Sequence, residues 1–273
     1  TSMPDFVVSF MGAINGNSDV AIGNVVGSNI FNILGILGCT SILFPVFIDK
    51  KNMRFEIPLC IGLSILLAIL AFNFFNGSAA RIGRLDGLLL LAVFAGFMWY
   101  SFYRDRKNAV ASDEKAQEDN TPLWLAIVKV VGGLALLVTS CDLFVDNAVA
   151  VAKSFGVNDA FISLTLIACG TSLPELAASI TAAVKKNNQM ALGNIVGSNI
   201  FNISLILGLC AQVRPLTSAG ITIVDYIVMI AAAVLLMLFG IKGKIGRAGG
   251  ILMVISFVLS LTVNLYLKRK EAR

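Results

Sequence analysis

The chain has 273 residues, of which 57% are hydrophobic and only 14% charged. A soluble domain carries about 45–50% apolar and about 25% charged residues, so this balance excludes an ordinary water-soluble enzyme or binding module. The net charge of +5 sits in short Lys and Arg clusters between apolar runs, which points to membrane topology rather than to nucleic acid.

An apolar stretch over about 3–14 comes first. Eight longer ones follow, over about 20–46, 55–76, 84–104, 122–152, 158–184, 189–213, 222–241 and 246–267. Each is near the roughly 20 residues that cross a bilayer. Trp99, Tyr100, Tyr103, Trp124 and Tyr266 fall near their ends, where interfacial anchors sit. The run from Asp105 to Asn120 is strongly polar and reads as a solvated connector. The chain therefore divides into residues 1–104, a linker over 105–121, and residues 122–273. The five cysteines, Cys39, Cys60, Cys141, Cys169 and Cys210, form no C-x-x-C pair and read as buried thiols. There is no histidine, which excludes His-based catalysis and imidazole ligation.

Residues 1–38 align without a gap to residues 171–208, with 20 of the 38 positions identical. The strongest block, residues 23–33, returns as residues 193–203 with a single Val-to-Ile change. A fainter echo joins Ile82-Gly83-Arg84 to Ile245-Gly246-Arg247, each opening an apolar segment. The second copy begins an odd number of crossings after the first, so the two copies face opposite ways. This is the inverted-repeat pattern of secondary transporters, whose sites lie at the repeat interface. Loops near 48–54, 104–115, 185–186 and 242–247 hold 12 of the 21 Lys and Arg, so they are expected in the cytoplasm. The second copy is preceded by a full segment and part of another that the first copy lacks. Symmetry therefore predicts a chain truncated at its N-terminus by one helix and the first half of the next.

Each copy reads Thr-Ser-x-Pro-acid, then an apolar stretch, then Gly-Ser-Asn-Ile-Phe-Asn. The acids are Asp5 and Glu175. A carboxylate at the bilayer centre costs roughly 2.5–3.5 kcal/mol on insertion scales and marks a functional candidate. Pro4 and Pro174 precede the acids and should bend or break the helix there. The carbonyls freed nearby are those of Thr1, Ala168 and Thr171, and such groups are tolerated only where they line a polar cavity. Hydroxyls come from Ser2, Ser28, Ser172 and Ser198, and amides from Asn32 and Asn202. Ser28 and Asn32 stand four apart on one helix face, as do Ser198 and Asn202, with Asn24 and Asn194 a turn further back. Gly23 and Gly27, with Gly193 and Gly197, are expected to let helices approach closely. All the ligands are oxygens, which favour hard cations such as Ca2+ or Na+. Two carboxylates neutralise one Ca2+ or two Na+, so loading one ion empties the site of the other.

These paired motifs resemble the two alpha-repeats of the sodium/calcium exchanger family, within the cation/calcium antiporter superfamily, in its compact prokaryotic form. The resemblance implies an all-α polytopic membrane protein of two inverted five-helix repeats in a prokaryotic inner membrane. It implies an antiporter exchanging Ca2+ for Na+ by alternating access. Such a protein is no enzyme, has no catalytic residue and no cofactor, and works as a monomer whose partners are the two ions and the lipid bilayer. Asp5 and Glu175 would bind Ca2+ and be shared with Na+, with carbonyls of Thr1 and Thr171 completing the Ca2+ shell. Ser28, Ala168, Thr171 and Ser172 would line one Na+ site, and Ser2, Ser198 and Thr1 its counterpart. Asn32 and Asn202 would border the centre. Asp142 and Asp146, one turn apart, would lie on a helix that slides during access and could line a water path.

The chain departs from the family's pattern in three places. Asp5 is one methylene shorter than the usual Glu. Asn202 is an amide where some relatives have Asp. The Gly that usually precedes Thr-Ser is Gly170 in the second copy and is missing before Thr1. The alternative reading is an antiporter of the same fold coupled to H+ or another cation.

Overall fold

The computed structural model describes residues 1–49, 52–72, 81–111, 122–154, 170–217 and 221–271. Ala168 and Cys169 lie outside these, as does the start of the segment predicted over 158–184. Asp142, Asp146 and Cys141 fall on a described helix, but their side chains lie outside the description.

Two short helices, α1 (Met3–Ile14) and the later α7 (Leu173–Val184), carry Asp5 and Glu175 in their first turns. Pro4 and Pro174 stand at the very start of these helices. There a missing N–H costs nothing, because first-turn donors have no partner inside the helix. Proline thus marks a fresh helix start, and in the second copy Thr171 and Ser172 form the turn before it. The positive end of each helix also favours a carboxylate in that first turn.

A tight turn follows each acid-bearing helix. Gly16 takes φ 77° in the first copy, and Lys186 takes φ 57° at the matching place in the second. The next helices are α2 (Ser18–Ile30) and α8 (Asn188–Phe201). Asn17 caps α2 by accepting from Val20 N at 3.3 Å, and Asn187 caps α8 by accepting from Met190 N at 3.0 Å. A side-chain oxygen here replaces the missing carbonyl of a preceding turn. Both helices pass through a widened π-helical stretch, Phe31–Leu37 and Asn202–Ile206. They then continue as α3 (Gly38–Leu43) and α9 (Leu207–Val213). Such stretches recur at functional sites because they re-aim side chains around the helix. Here they begin at or next to Asn32 and Asn202.

The first half continues with a π-helical turn (Asn52–Glu56), α4 (Ile57–Phe72) and α5 (Arg84–Ala111). Helix α5 runs through Ala111, into the segment the sequence assigns to the linker. After the segment assigned to the linker comes α6 (Leu123–Ser154). The second half ends with α10 (Ile223–Ile241) and α11 (Arg247–Glu271). Among the described residues, six helical spans are long and apolar enough to cross a membrane. In the two spans that carry the repeated motif, 72% of the most apolar window is buried, against 11% in the α5 and α11 spans. The motif helices therefore form the centre and the last helix of each half the rim. Trp99, Tyr103, Trp124 and Tyr266 are exposed, as anchors should be, while Tyr100 packs on Phe55.

The halves are bound crosswise. Strand β1 (Val46–Phe47) pairs antiparallel with β4 (Lys244–Ile245), and β2 (Arg81–Ile82) with β3 (Leu216–Thr217). The register sets Val46 opposite Ile245 and Ile82 opposite Leu216, and all four are fully buried. The echo around Ile82 and Ile245 is thus a pair of matching strands, each clasping the opposite half. The pairing also brings the chain near 47–49 beside 242–245, two regions the charge pattern puts on one side.

Glycines make the same crossing. A Cβ on Gly250 would lie 2.6 Å from the Gly38 carbonyl, and one on Gly87 would lie 2.9 Å from that of Gly208. Helix α11 therefore lies directly on α3, and α5 on α9. Phe31 packs on Phe257 and Phe94 on Phe201 across the same contacts. The expectation that Gly27, Gly193 and Gly197 permit close helix approach finds no support among the described residues, where a Cβ on any of them would meet nothing within 4 Å. Gly23 alone of that set is tight, with a Cβ 3.1 Å from Ile221. A Gly-x-x-x-Gly spacing names a helix face without saying what lies against it.

Candidate cation site

The two acid-bearing helix starts meet the two motif helices at the centre. Asp5 and Glu175 are both fully buried. They are near enough to interact electrostatically. Asp5 Oδ1 accepts from Ser28 Oγ at 3.0 Å, and Asp5 Oδ2 accepts from Asn202 Nδ2 at 3.0 Å. One donor comes from each half, so Asp5 is held between the repeats.

Glu175 is different. Neither of its oxygens has a partner of good hydrogen-bond geometry among the described residues, although the Ser2 hydroxyl stands near enough to interact with it. Ser198, the counterpart of Ser28, is buried but gives it no such bond. Ser172 Oγ, Asn32 Oδ1 and Asn202 Oδ1 are likewise buried without a donor. A buried charge without a partner is strongly disfavoured. A cluster of orphaned acceptors therefore fits a positive charge better than any neutral group. Among the described residues, no group of three or more His, Cys, Asp or Glu stands together. The site thus combines two charged ligands with neutral oxygens.

Backbone and hydroxyl groups are positioned by a second pair of amides. Asn24 Nδ2 donates to the Asp5 carbonyl at 3.1 Å and to Ser9 Oγ at 3.0 Å. Asn194 Nδ2 donates to the Glu175 carbonyl at 3.3 Å and to Ser179 Oγ at 3.0 Å. These bonds pin each acid-bearing helix to the motif helix of its own half. Thr1 Oγ1 donates to Asn194 Oδ1 at 2.8 Å and so reaches across to the other half. Ser2 and Ser172 sit at helix starts, and neither hydroxyl is spent on capping. Thr171 is half-buried in the turn before α7.

The structure therefore links Asp5, Glu175, Ser28, Asn32 and Asn202, sets Thr171 beside Asp5 and buries Ser172. It buries Ser2 and Ser198 and leaves Ala168 outside the described residues. Sequence reasoning passed over Ser9, Ser179, Asn29 and Asn199. The available signal was their identity between the two aligned copies.

Comparison with known proteins bears on the same arrangement. The family model for the sodium/calcium exchanger protein matches residues 1–103 and 125–266. The chain belongs to the sodium/calcium exchanger family. It is 39% identical over 269 residues to CaxA of Alkalimonas amylolytica, covering 94% of this chain and 82% of that protein. It is 31% identical over 288 residues to the inner membrane protein YrbG of Escherichia coli, covering 98% and 83%. Among solved structures, the sodium-calcium exchanger NCX_Mj superposes with a TM-score of 0.78 at 29% identity, covering 96% of this chain and 82% of that one. This exchanger-family chain is thus an all-α, multi-pass protein of a prokaryotic membrane, and its structural relatives are transporters.

Proposed function

We propose that the chain is a secondary active antiporter that exchanges Ca2+ for Na+ by alternating access. The observation that carries this reading is the buried Glu175 carboxylate. Neither of its oxygens is hydrogen-bonded among the described residues, and it interacts electrostatically with the buried Asp5. The likeness to NCX_Mj, a sodium-calcium exchanger, supports the choice of ions.

In this reading Asp5 and Glu175 hold Ca2+ with the carbonyls of Thr1 and Thr171. The same carboxylates, with Ser2, Ser28, Ala168, Thr171, Ser172 and Ser198, hold Na+. Asn32 and Asn202 contribute neutral oxygen at the centre. A hard cation takes six or more oxygens, and affinity is tuned by how many carry charge. Two charges bind one divalent ion without trapping it, which a transporter requires. No covalent step enters, so the protein is read as a transporter and not as an enzyme, with no cofactor.

The test uses the full chain reconstituted in vesicles loaded with Na+ and diluted into Na+-free medium containing radioactive Ca2+. Uptake should follow the Na+ gradient and vanish when it is collapsed. Uptake driven by a pH gradient alone, and indifferent to Na+, would reject the Na+ reading in favour of H+ coupling.

A further inference from the structure

Asn29 and Asn199 occupy the same position of the two repeats and are both buried. Asn199 Nδ2 donates to the Asn29 carbonyl at 3.2 Å, and Asn29 Nδ2 donates to the Asn199 carbonyl at 3.4 Å. A backbone carbonyl only accepts. Neither amide can turn round without setting oxygen against oxygen.

Each side-chain Oδ1 is thereby committed. Asn199 Oδ1 accepts from Asn32 Nδ2 at 3.0 Å, and Asn29 Oδ1 accepts from Asn202 Nδ2 at 3.3 Å. An acceptor at that place obliges Asn32 and Asn202 to offer their NH2 groups. Their own Oδ1 atoms are then the ones left over, buried and without a donor among the described residues. Four amides in a row have their direction set by two backbone carbonyls.

We infer that Asn199 is a positioning residue that fixes the amide direction of Asn32, so that Asn32 offers oxygen rather than NH2 to the cation, while Asn29 makes the matching bond to Asn202, whose direction the Asp5 carboxylate also sets. The inference rests on the cation site proposed above. Without this clasp, nothing obliges Asn32 to keep its NH2 away from the centre. The Glu175 carboxylate, which has no hydrogen bond among the described residues, is the counterpart of Asp5, to which Asn202 donates. An Asn32 amide turned toward it would put N–H dipoles against the ion. The bond to Asn199 removes this competing arrangement for Asn32.

The crossing makes a sharp test. Purified full-length variants are assayed for equilibrium binding of radioactive Ca2+ in Na+-free buffer, and for displacement by Na+. Asn199→Ala should weaken Ca2+ binding about tenfold, the effect of one lost hydrogen bond of average strength. In an Asn32→Ala background the same change should have no further effect, within about twofold, because residues acting through one another are not additive. In an Asn202→Ala background it should keep its full effect. Asn29→Ala should have a smaller effect, because Asp5 also holds the Asn202 amide, and should be silent beside Asn202→Ala.

A clasp that only held the helices together would lower the melting temperature and leave the affinity effects equal in both backgrounds. That result overturns the inference while Glu175 dependence stays intact. Unchanged Ca2+ binding by Glu175→Gln overturns the site reading itself, and the clasp with it. Should an alanine variant not fold, Asn199→Ser and Asn29→Ser carry the same cycles.

Discussion

Asn202 donates to Asp5 Oδ2 at 3.0 Å, so an amide from the second half holds the carboxylate of the first. The mirror bond, from Asn32 to Glu175, is absent among the described residues. Two repeats of closely similar sequence thus present unequal carboxylates, one with donors on both oxygens and one with none. The inequality sets different expectations for the two acids and for the amide between them.

Glu175→Gln removes the carboxylate that has no donor. The remaining single charge does not neutralise Ca2+, and exchange should fall at least about a hundredfold, in line with about 3 kcal/mol or more for an unpaired buried charge. The same variant should melt no lower than the parent in ion-free buffer, because a costly buried charge is gone. Its melting temperature should also stop rising with added Ca2+, since a ligand stabilises only a fold that binds it. A variant that still gains stability from Ca2+ would contradict the assignment.

Asp5→Glu should be milder. One extra methylene displaces the carboxylate from Ser28 and Asn202 but keeps its charge. Exchange should stay within about fivefold of the parent, as for hydrogen bonds weakened rather than deleted. The ratio of Sr2+ to Ca2+ transport should shift, which competition assays would read.

Asn202→Leu deletes a donor to Asp5 and a neutral oxygen together. It also leaves the Asn29 Oδ1 acceptor unpaired. Ca2+ affinity should fall by tenfold or more, consistent with about 1–3 kcal/mol for stranding a buried polar group. Binding isotherms that match the parent would show that Asn202 borders the site without serving it.

Glycine substitutions separate close packing from open space. A Cβ on Gly250 would lie 2.6 Å from the Gly38 carbonyl and 2.9 Å from Ile42 N, both backbone atoms that cannot step aside. Gly250→Ala should cost about 1–3 kcal/mol as overpacking, seen as a lower melting temperature. Gly27→Ala meets nothing within 4 Å among the described residues and should leave the melting temperature unchanged.

The turn before α8 offers a gain. Lys186 holds φ 57° where the first copy has Gly16 at φ 77°. A left-handed conformation costs a residue with a Cβ roughly 1–2 kcal/mol. Glycine regains part of this but gives some back in the entropy of the unfolded chain. Lys186→Gly should therefore raise thermal stability slightly, and a fall would mean that the lysine side chain is itself holding the turn.

Much of this was legible without coordinates. Apolar run length and sparse charge decide that the chain lives in a membrane, because each run is a local property of the sequence. Comparing the chain with itself reveals the duplication, and an odd count of crossings gives the inversion. The Pro-acid pairs mark the helix starts, and Asp5, Glu175, Ser28, Asn32 and Asn202 stand together at the centre. The Asn32 and Asn202 positions also fall at or next to the π-helical stretches, which no periodicity would have revealed.

What only the tertiary structure decided is which surfaces face each other. The tight glycine pairs are Gly38 with Gly250 and Gly87 with Gly208, and not the motif glycines with their suggestive spacing. The last helix of each half lies on the other half's motif helix. The direction of each central amide follows from a carbonyl 170 residues away. Spacing along a chain tells which side chains share a helix face. It does not tell what packs on that face, because that depends on residues brought there only by folding, and a planar amide takes its direction from whichever partner arrives.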